Sequence, residues 1–459
     1  MSLTALKWLS LGAFVALTAC TTTGTQSAHP TRAKLAETSL PPLKSFRARQ
    51  EALPNRSNAD IARDFLDLTF ALESGRALPV MTRFEGPITV KLEGRTTATL
   101  RSDLSQLIGR LRKEADIDIR QISDGRANVA IQAVSKSDIK RALPHAACFV
   151  VPNVTSISEY RRARGAPRTD WAGLKKRDQL AIFLPHDTSP QDMRDCLHEE
   201  LAQAIGPLND LYRLDDSVFN DDNFHATLTG FDMLILRAYY DPSLRNGMTQ
   251  LQVAEKLPGI LNRLNPQGNH GRIAPLTRTP RAWINAVQDA LGPTGSTGKR
   301  IAAANAALNI AKSQGWTDHR RAFSHYMNGR VHQFRDPRLA DQHYRLADQY
   351  FQAATPNGPH RAAVAGPRAA YALASGDPKT ALKIVDRHIA SAERFQNAIH
   401  LSSLLMIKAE AHDALGENAA AQAARLDSLG WARYGFGPEW IVRAKLREVA
   451  LLNPTNRTN

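Results

Sequence analysis

Apolar residues recur at changing periods along the chain, and the changes mark out its elements. "SNADIARDFLDLTFALES" opens on Ser57 and Asn58, both helix-capping residue types, and then repeats apolar residues at helical spacing, so a helix starts near 58. "PITVKLEG" (87–94) alternates with period two and predicts a strand. "RSDLSQLIGRLRKEA" (101–115) sets Leu104, Leu107, Ile108 and Leu111 on one helical face. Short apolar runs at 116–122, 127–134, 147–153 and 179–185 predict four further strands. A helix follows over 189–206, with Ser189-Pro190 at its start and Gly206 at its end. After an irregular stretch, "FDMLILRAYYDPSL" and "NGMTQLQVAEKLPGILNRL" return to helical spacing. Residues 266–298 hold many Pro and Gly and predict a linker with one short helix, "PRAWINAVQDAL".

From 299 to 459 the pattern is helical almost throughout. The turns in "AYALASGDPKTALKIVD" (370–386) and "AEAHDALGENAAAQAAR" (409–425) align: an Ala-rich helix stops at Gly and a second begins. This resembles tetratricopeptide (TPR) repeats, which stack helix pairs and commonly bind a protein or peptide. An irregular helical domain is the alternative. The strand, helix, four strands, helix order before it matches the first half of a zincin domain. The expected fold is therefore an α+β zincin-like (metzincin-like) domain over 58–265 and an all-α TPR-like domain over 299–459.

The N-terminus bears on compartment. Lys7 precedes an apolar run from Trp8 to Ala19, too short to span a bilayer, which reads as a signal peptide over 1–19. Leu17-Thr18-Ala19-Cys20 resembles a lipobox, which implies lipidation of Cys20 and a membrane partner reached through that lipid. Thr21 stands where Asp would favour the inner membrane, so the outer membrane is expected. Residues 20–57, poor in large apolar side chains, predict a disordered tether. In an oxidising compartment the other two cysteines, Cys148 and Cys196, are most simply a disulfide; two separate buried thiols are the alternative.

A formal charge of +15 suggests anionic neighbours, such as membrane lipid or peptidoglycan, and nucleic acid is not expected outside the cytoplasm. The densest basic stretch, "YRRARGAPRTDWAGLKKR" (160–177), lacks helical periodicity and reads as a solvated loop.

The chemistry centres on "CLHEELAQAIGPLND" (196–210). Zincins carry H-E-x-x-H on a helix: two imidazoles one turn apart hold zinc and the glutamate activates water. Here the register is E-E-x-x-Q-x-x-G-x-x-N. Glu199, Gln203 and Asn209 stand at the three metal-ligand positions and Glu200 at that of the catalytic base. A carboxamide is a poor zinc ligand, and this oxygen set suits calcium better. Neither ion is expected as a resident cofactor. His186, His198 and His225, and Asp215, Asp216, Asp221 and Asp222 in "DDSVFNDDN", offer other ligands, although an Asp-rich turn without EF-hand spacing is usually just solvated. An amphipathic helix with Glu and Gln on its wet face explains the same residues without any site.

Residues 196–249 resemble the signature of domain-of-unknown-function family 2927, bacterial lipoproteins with a C-x-x-E-E-x-x-Q-x-x-G-x-x-N-D core. The resemblance covers roughly 58–265 and implies fold boundaries, not a mechanism. Val218-Phe219 stand where metzincins place an apolar-Met pair under the metal, so that turn is expected to survive as packing. The expected function is a periplasm-facing lipoprotein with a non-catalytic zincin-like domain and a helical binding domain. An active metallopeptidase using Glu200, and a purely structural scaffold, are the alternatives.

Overall fold

The computed structural model describes residues 40–270, 277–292 and 295–457. Cys20 and the expected signal peptide therefore lie outside the described residues. Leu40 onward forms one compact unit.

The first half is built on a five-stranded sheet of β1 (Ile88–Gly94), β2 (Ile119–Gln121), β3 (Val129–Val134), β4 (Phe149–Pro152) and β5 (Leu180–Pro185). Their order is β2-β1-β3-β5-β4. All neighbours run parallel except β4, which pairs antiparallel with β5 at one edge. The run "LAIFLP" of β5 is wholly apolar because both faces are covered. Leu180, Ile182 and Leu184 enter the core under the long helices. Ala181 and Phe183 pack on the other side with Phe149 and Tyr160.

Helix α1 (Asn58–Thr69) precedes the sheet, and α2 (Ala98–Glu114) covers it through the face expected from Leu104, Leu107 and Leu111. Two short helices, α3 (Lys136–Ala142) and α4 (Ile157–Ala163), cover the opposite face. α5 (Pro190–Ile205) lies against β4 and β5, and α6 (Gly230–Tyr239) and α7 (Gln250–Leu264) complete the core. The strand expected over 116–122 is only three residues long, because Asp116 takes a left-handed φ of 56° and turns the chain before it can pair.

Helix pairs follow. α8 (Arg281–Leu291) packs on α9 (Thr297–Ser313), and α10 (His319–His332) on α11 (Pro337–Ala354). α12 (His360–Ala374) packs on α13 (Pro378–Arg394), and α14 (Ala398–Ala414) on α15 (Asn418–Phe436), before α16 (Glu439–Ala450). The result is a helical-repeat-like region. Gly376 and Gly416 stand just beyond α12 and α14 with φ of 82° and 75°, left-handed positions that end both helices at the same place in the repeat. Among the described residues no helix is long and apolar enough to cross a membrane.

Three expectations need correction. α8 belongs to the helical region: Trp283, fully buried, packs on Trp316 and Phe323, so the segment expected to be a linker contributes to a core. Residues 40–57 are extended but docked, where a disordered tether was expected. Phe46 stacks on Trp431 at 4.5 Å, and the Lys44 N–H donates to the Gly430 carbonyl at 3.1 Å. The basic segment 160–177 is not simply solvated, since Arg177 is 3% exposed.

Candidate acidic site

α5 starts at Ser189, whose hydroxyl accepts the Asp192 N–H, with Pro190 in the first turn. It ends at Gly206, where a Cβ would meet a Leu236 methyl at 2.4 Å. The last-turn carbonyls of Gln203 and Ala204 each accept a 2.8 Å bond from the Arg177 guanidinium. This is where the basic segment acts: a buried cation satisfies carbonyls that a helix end leaves free. Cys148 and Cys196 are joined in a disulfide, tying edge strand β4 to α5. Leu197, Leu201 and Ala204 face the core. Glu199 and Gln203, one turn apart and half-buried, face the loop of residues 206–229.

That loop is fixed from below. Ser217 donates to the Asp232 carboxylate at 2.5 Å, the Val218 N–H donates to the same group, and Phe219 is fully buried. Arg213 reaches back to α1, giving 2.6 Å and 2.9 Å bonds to Asp64 and Asp67. Asn209 also binds α1: its side-chain N–H₂ donates to the Asp67 carbonyl at 2.9 Å.

Thus the structure does not bring Asn209 to Glu199. The residue that arrives is its neighbour, Asp210, together with Asp221. One carboxylate oxygen from each of Glu199, Asp210 and Asp221 lies within 4.8 Å of the other two. Gln203 joins only indirectly, its amide donating to Asp210 at 3.1 Å. Among the described residues, Glu200, 5% exposed, keeps one oxygen with no hydrogen-bond partner, as does Asp210. Glu73 and Tyr212 stand beside Asp221.

The electrostatics follow from crowding acids away from water. Burial, reinforced by Asp221 and Glu73, lifts the Glu199 carboxyl to about 8. Burial and Glu73 lift Asp221 to about 7. Glu200 and Asp210 are pushed well above the carboxylate range, first by burial and then by neighbouring acids. A cavity of about 370 Å³ opens beside the group, lined by Glu73, Asp210, Tyr212 and Arg281.

The other sequence candidates are engaged elsewhere. His198 is buried, and its Nδ1 accepts the Leu228 N–H at 3.1 Å; burial holds its pKa well below the usual value. His225 bonds the Asp215 carbonyl, and His186 does not join the group. Asp222 caps its own turn through Phe224 N–H, and Asp216 pairs with Arg56. Sequence reasoning named Asp221 among four equal aspartates and missed Asp210. The available signal was the Asn-Asp pair that closes the motif.

Residues 58–259 match the family described as Protein of unknown function (DUF2927). No curated protein matches the chain. The DUF2927 region runs from the start of α1 into α7 and contains every member of the acidic group. The helical-repeat-like region lies beyond it.

Proposed function

We propose that the protein is an outer-membrane lipoprotein anchored at Cys20, whose DUF2927 region is a zincin-like domain that no longer hydrolyses peptides. Its helical region, read as TPR-like, binds a protein or peptide. The sheet with an antiparallel edge strand, and α5 packed beneath it carrying E-E-x-x-Q, support the zincin-like part. One observation carries the loss of hydrolysis. Gln203, at the second ligand position, offers a carboxamide already bound to Asp210, and among the described residues no imidazole joins Glu199. An all-oxygen set is a weak holder of zinc, and without that Lewis acid water stays near its bulk acidity. Glu200 alone is then a poor hydrolytic engine. An extended peptide can still add to the β4 edge without being cut.

A cavity of about 270 Å³ between α11, α12 and α13 supports the binding role. Asp348 is shared by Arg361 and Arg368, which leaves Lys383 and Arg387 on the same wall to meet an acidic partner.

Digestion of casein and of a peptide mixture by the purified full chain, with Glu200→Gln as control, tests the first part. No Glu200-dependent cleavage is expected; cleavage abolished by Glu200→Gln would establish an active metallopeptidase instead. For the anchor, Cys20→Ser should move the protein from the membrane to the soluble fraction, and unchanged fractionation contradicts it.

A further inference from the structure

We propose that the cavity between α11, α12 and α13 binds a phosphate monoester group, carried by a soluble small molecule or by a lipid headgroup. Three helix faces build it. On α13, Thr380, Lys383, Ile384, Arg387 and His388 fall at i, i+3, i+4, i+7 and i+8, one side of the helix, and all line the space of about 270 Å³. α11 contributes Asp341, Arg345 and Asp348 at the same kind of spacing, and α12 contributes Arg361 and Arg368, about two turns apart.

The charges around this space do not cancel. Arg345 pairs with Asp341, and Arg361 and Arg368 share Asp348. Among the described residues Lys383 and Arg387 have no ion pair, so five cations face two carboxylates. A guanidinium keeps its proton in a protein, so burial cannot remove this excess as it can neutralise an acid. Arg361 and Arg368 are held well inside, with side chains 16% and 20% exposed. A second observation comes from the cavity wall. His388 is 94% buried, since 6% of it is exposed, and among the described residues it has no hydrogen-bond partner. Its ring nitrogens are not sealed in the core, so its polar edge opens onto the space it lines. Burial, then Arg361, lowers its pKa to about 4, so at pH 7 the neutral ring keeps one N–H to donate.

The chemistry of these donors selects the ligand. A phosphate monoester carries a charge of about −1.5 to −2 at pH 7 and three strong acceptor oxygens, whereas a carboxylate carries one charge. Guanidinium forks and ammonium groups bind such oxygens through charge-assisted hydrogen bonds. The volume is small for a ligand pocket and suits a compact group better than a length of peptide. The inference goes beyond the peptide-binding reading of the helical region and does not rest on it.

The test is calorimetric titration of the full chain in phosphate-free buffer with glycerol phosphate, acetate and a peptide of alternating Asp and Glu. One equivalent of glycerol phosphate should bind, and acetate at the same concentration should not. Lys383→Gln with Arg387→Gln, both exposed, should weaken glycerol phosphate at least about tenfold. Arg112→Gln with Lys113→Gln, which removes the same charge from the exposed face of α2, should leave the affinity unchanged. Co-sedimentation separates the two sources. Phosphatidic acid vesicles that hold the unaltered chain but not the Lys383/Arg387 variant identify a lipid headgroup, and glycerol phosphate binding without such retention identifies a soluble ligand. The proposal is overturned if glycerol phosphate does not saturate, or if both double variants weaken it equally. It is also overturned if the acidic peptide binds more tightly and loses that affinity in the Lys383/Arg387 variant, which would give the cavity to a peptide.

Discussion

Asp64 shows how much of the site's geometry depends on single buried charges. Its side chain is 1% exposed and accepts bonds from both Arg56 and Arg213. Among the described residues, removing it leaves the partly buried Arg56 and Arg213 with only Asp216 and Asp67 as carboxylate partners, so Asp64→Ala should cost roughly 1.5–3 kcal/mol in urea denaturation. A loss under about 1 kcal/mol would place the pair among weak surface bridges. His400 provides a titration with a defined sign. Burial, then Arg330, lowers its pKa from 6.5 to about 4. The unfolded chain takes up a proton first as pH falls, so this residue's contribution is complete above about pH 6.5 and drains away towards about pH 4. The stability advantage of the unaltered chain over His400→Gln should therefore shrink between about pH 7 and about pH 5. An unchanged gap would show that His400 is not held neutral. Legibility at this scale was uneven. Glu199 and Glu200 were visible because helical spacing places them without help. Asp210 was not, because the irregular chain after Gly206, which carries no period, decides which of Asn209 and Asp210 faces α5.

Among the elements, the strands and long helices were legible because periodicity of two or about 3.6 directly encodes which face is buried. α3 and α4 were not. Each is seven residues long, begins at a serine cap, Ser135 or Ser156, and depends on packing against Phe149 and Phe183 for its stability. The docked segment 40–57 escaped for a similar reason: one aromatic, Phe46, provides the stacking that residues 40–57 need, and a lone aromatic gives no period. The disulfide belongs to this scale because it joins an edge strand to the site helix across 48 residues. Replacing both Cys148 and Cys196 by serine should lower stability by roughly 2–4 kcal/mol. Equal urea midpoints with and without the bridge would show that β4 is held by its strand pairing alone.

Across the whole molecule, the two regions share buried surface. The Tyr434 hydroxyl donates to Asp103 at 2.8 Å, and Gln191 on α5 accepts the N–H of Ala398 at 3.0 Å. Arg194 lies over the rings of Phe46 and Tyr434. With Tyr212 and Phe224 seated in the helical core, neither region keeps its packing when the other opens. Calorimetry of the full chain should show one unfolding endotherm, and two separated endotherms would show independent regions. No periodicity reports such a junction, since its residues come from a loop, a docked segment and the ends of helices. The family match stops within α7, so the helical region's role rests on its own geometry.

The central proposal is that Glu199 and Gln203 on α5 do not form a zinc centre. The most direct measurement is elemental analysis of the full chain purified without chelator and then exposed to zinc and calcium together. The account predicts no stoichiometric zinc. One equivalent of zinc that persists against calcium and is lost in Glu199→Gln would contradict it.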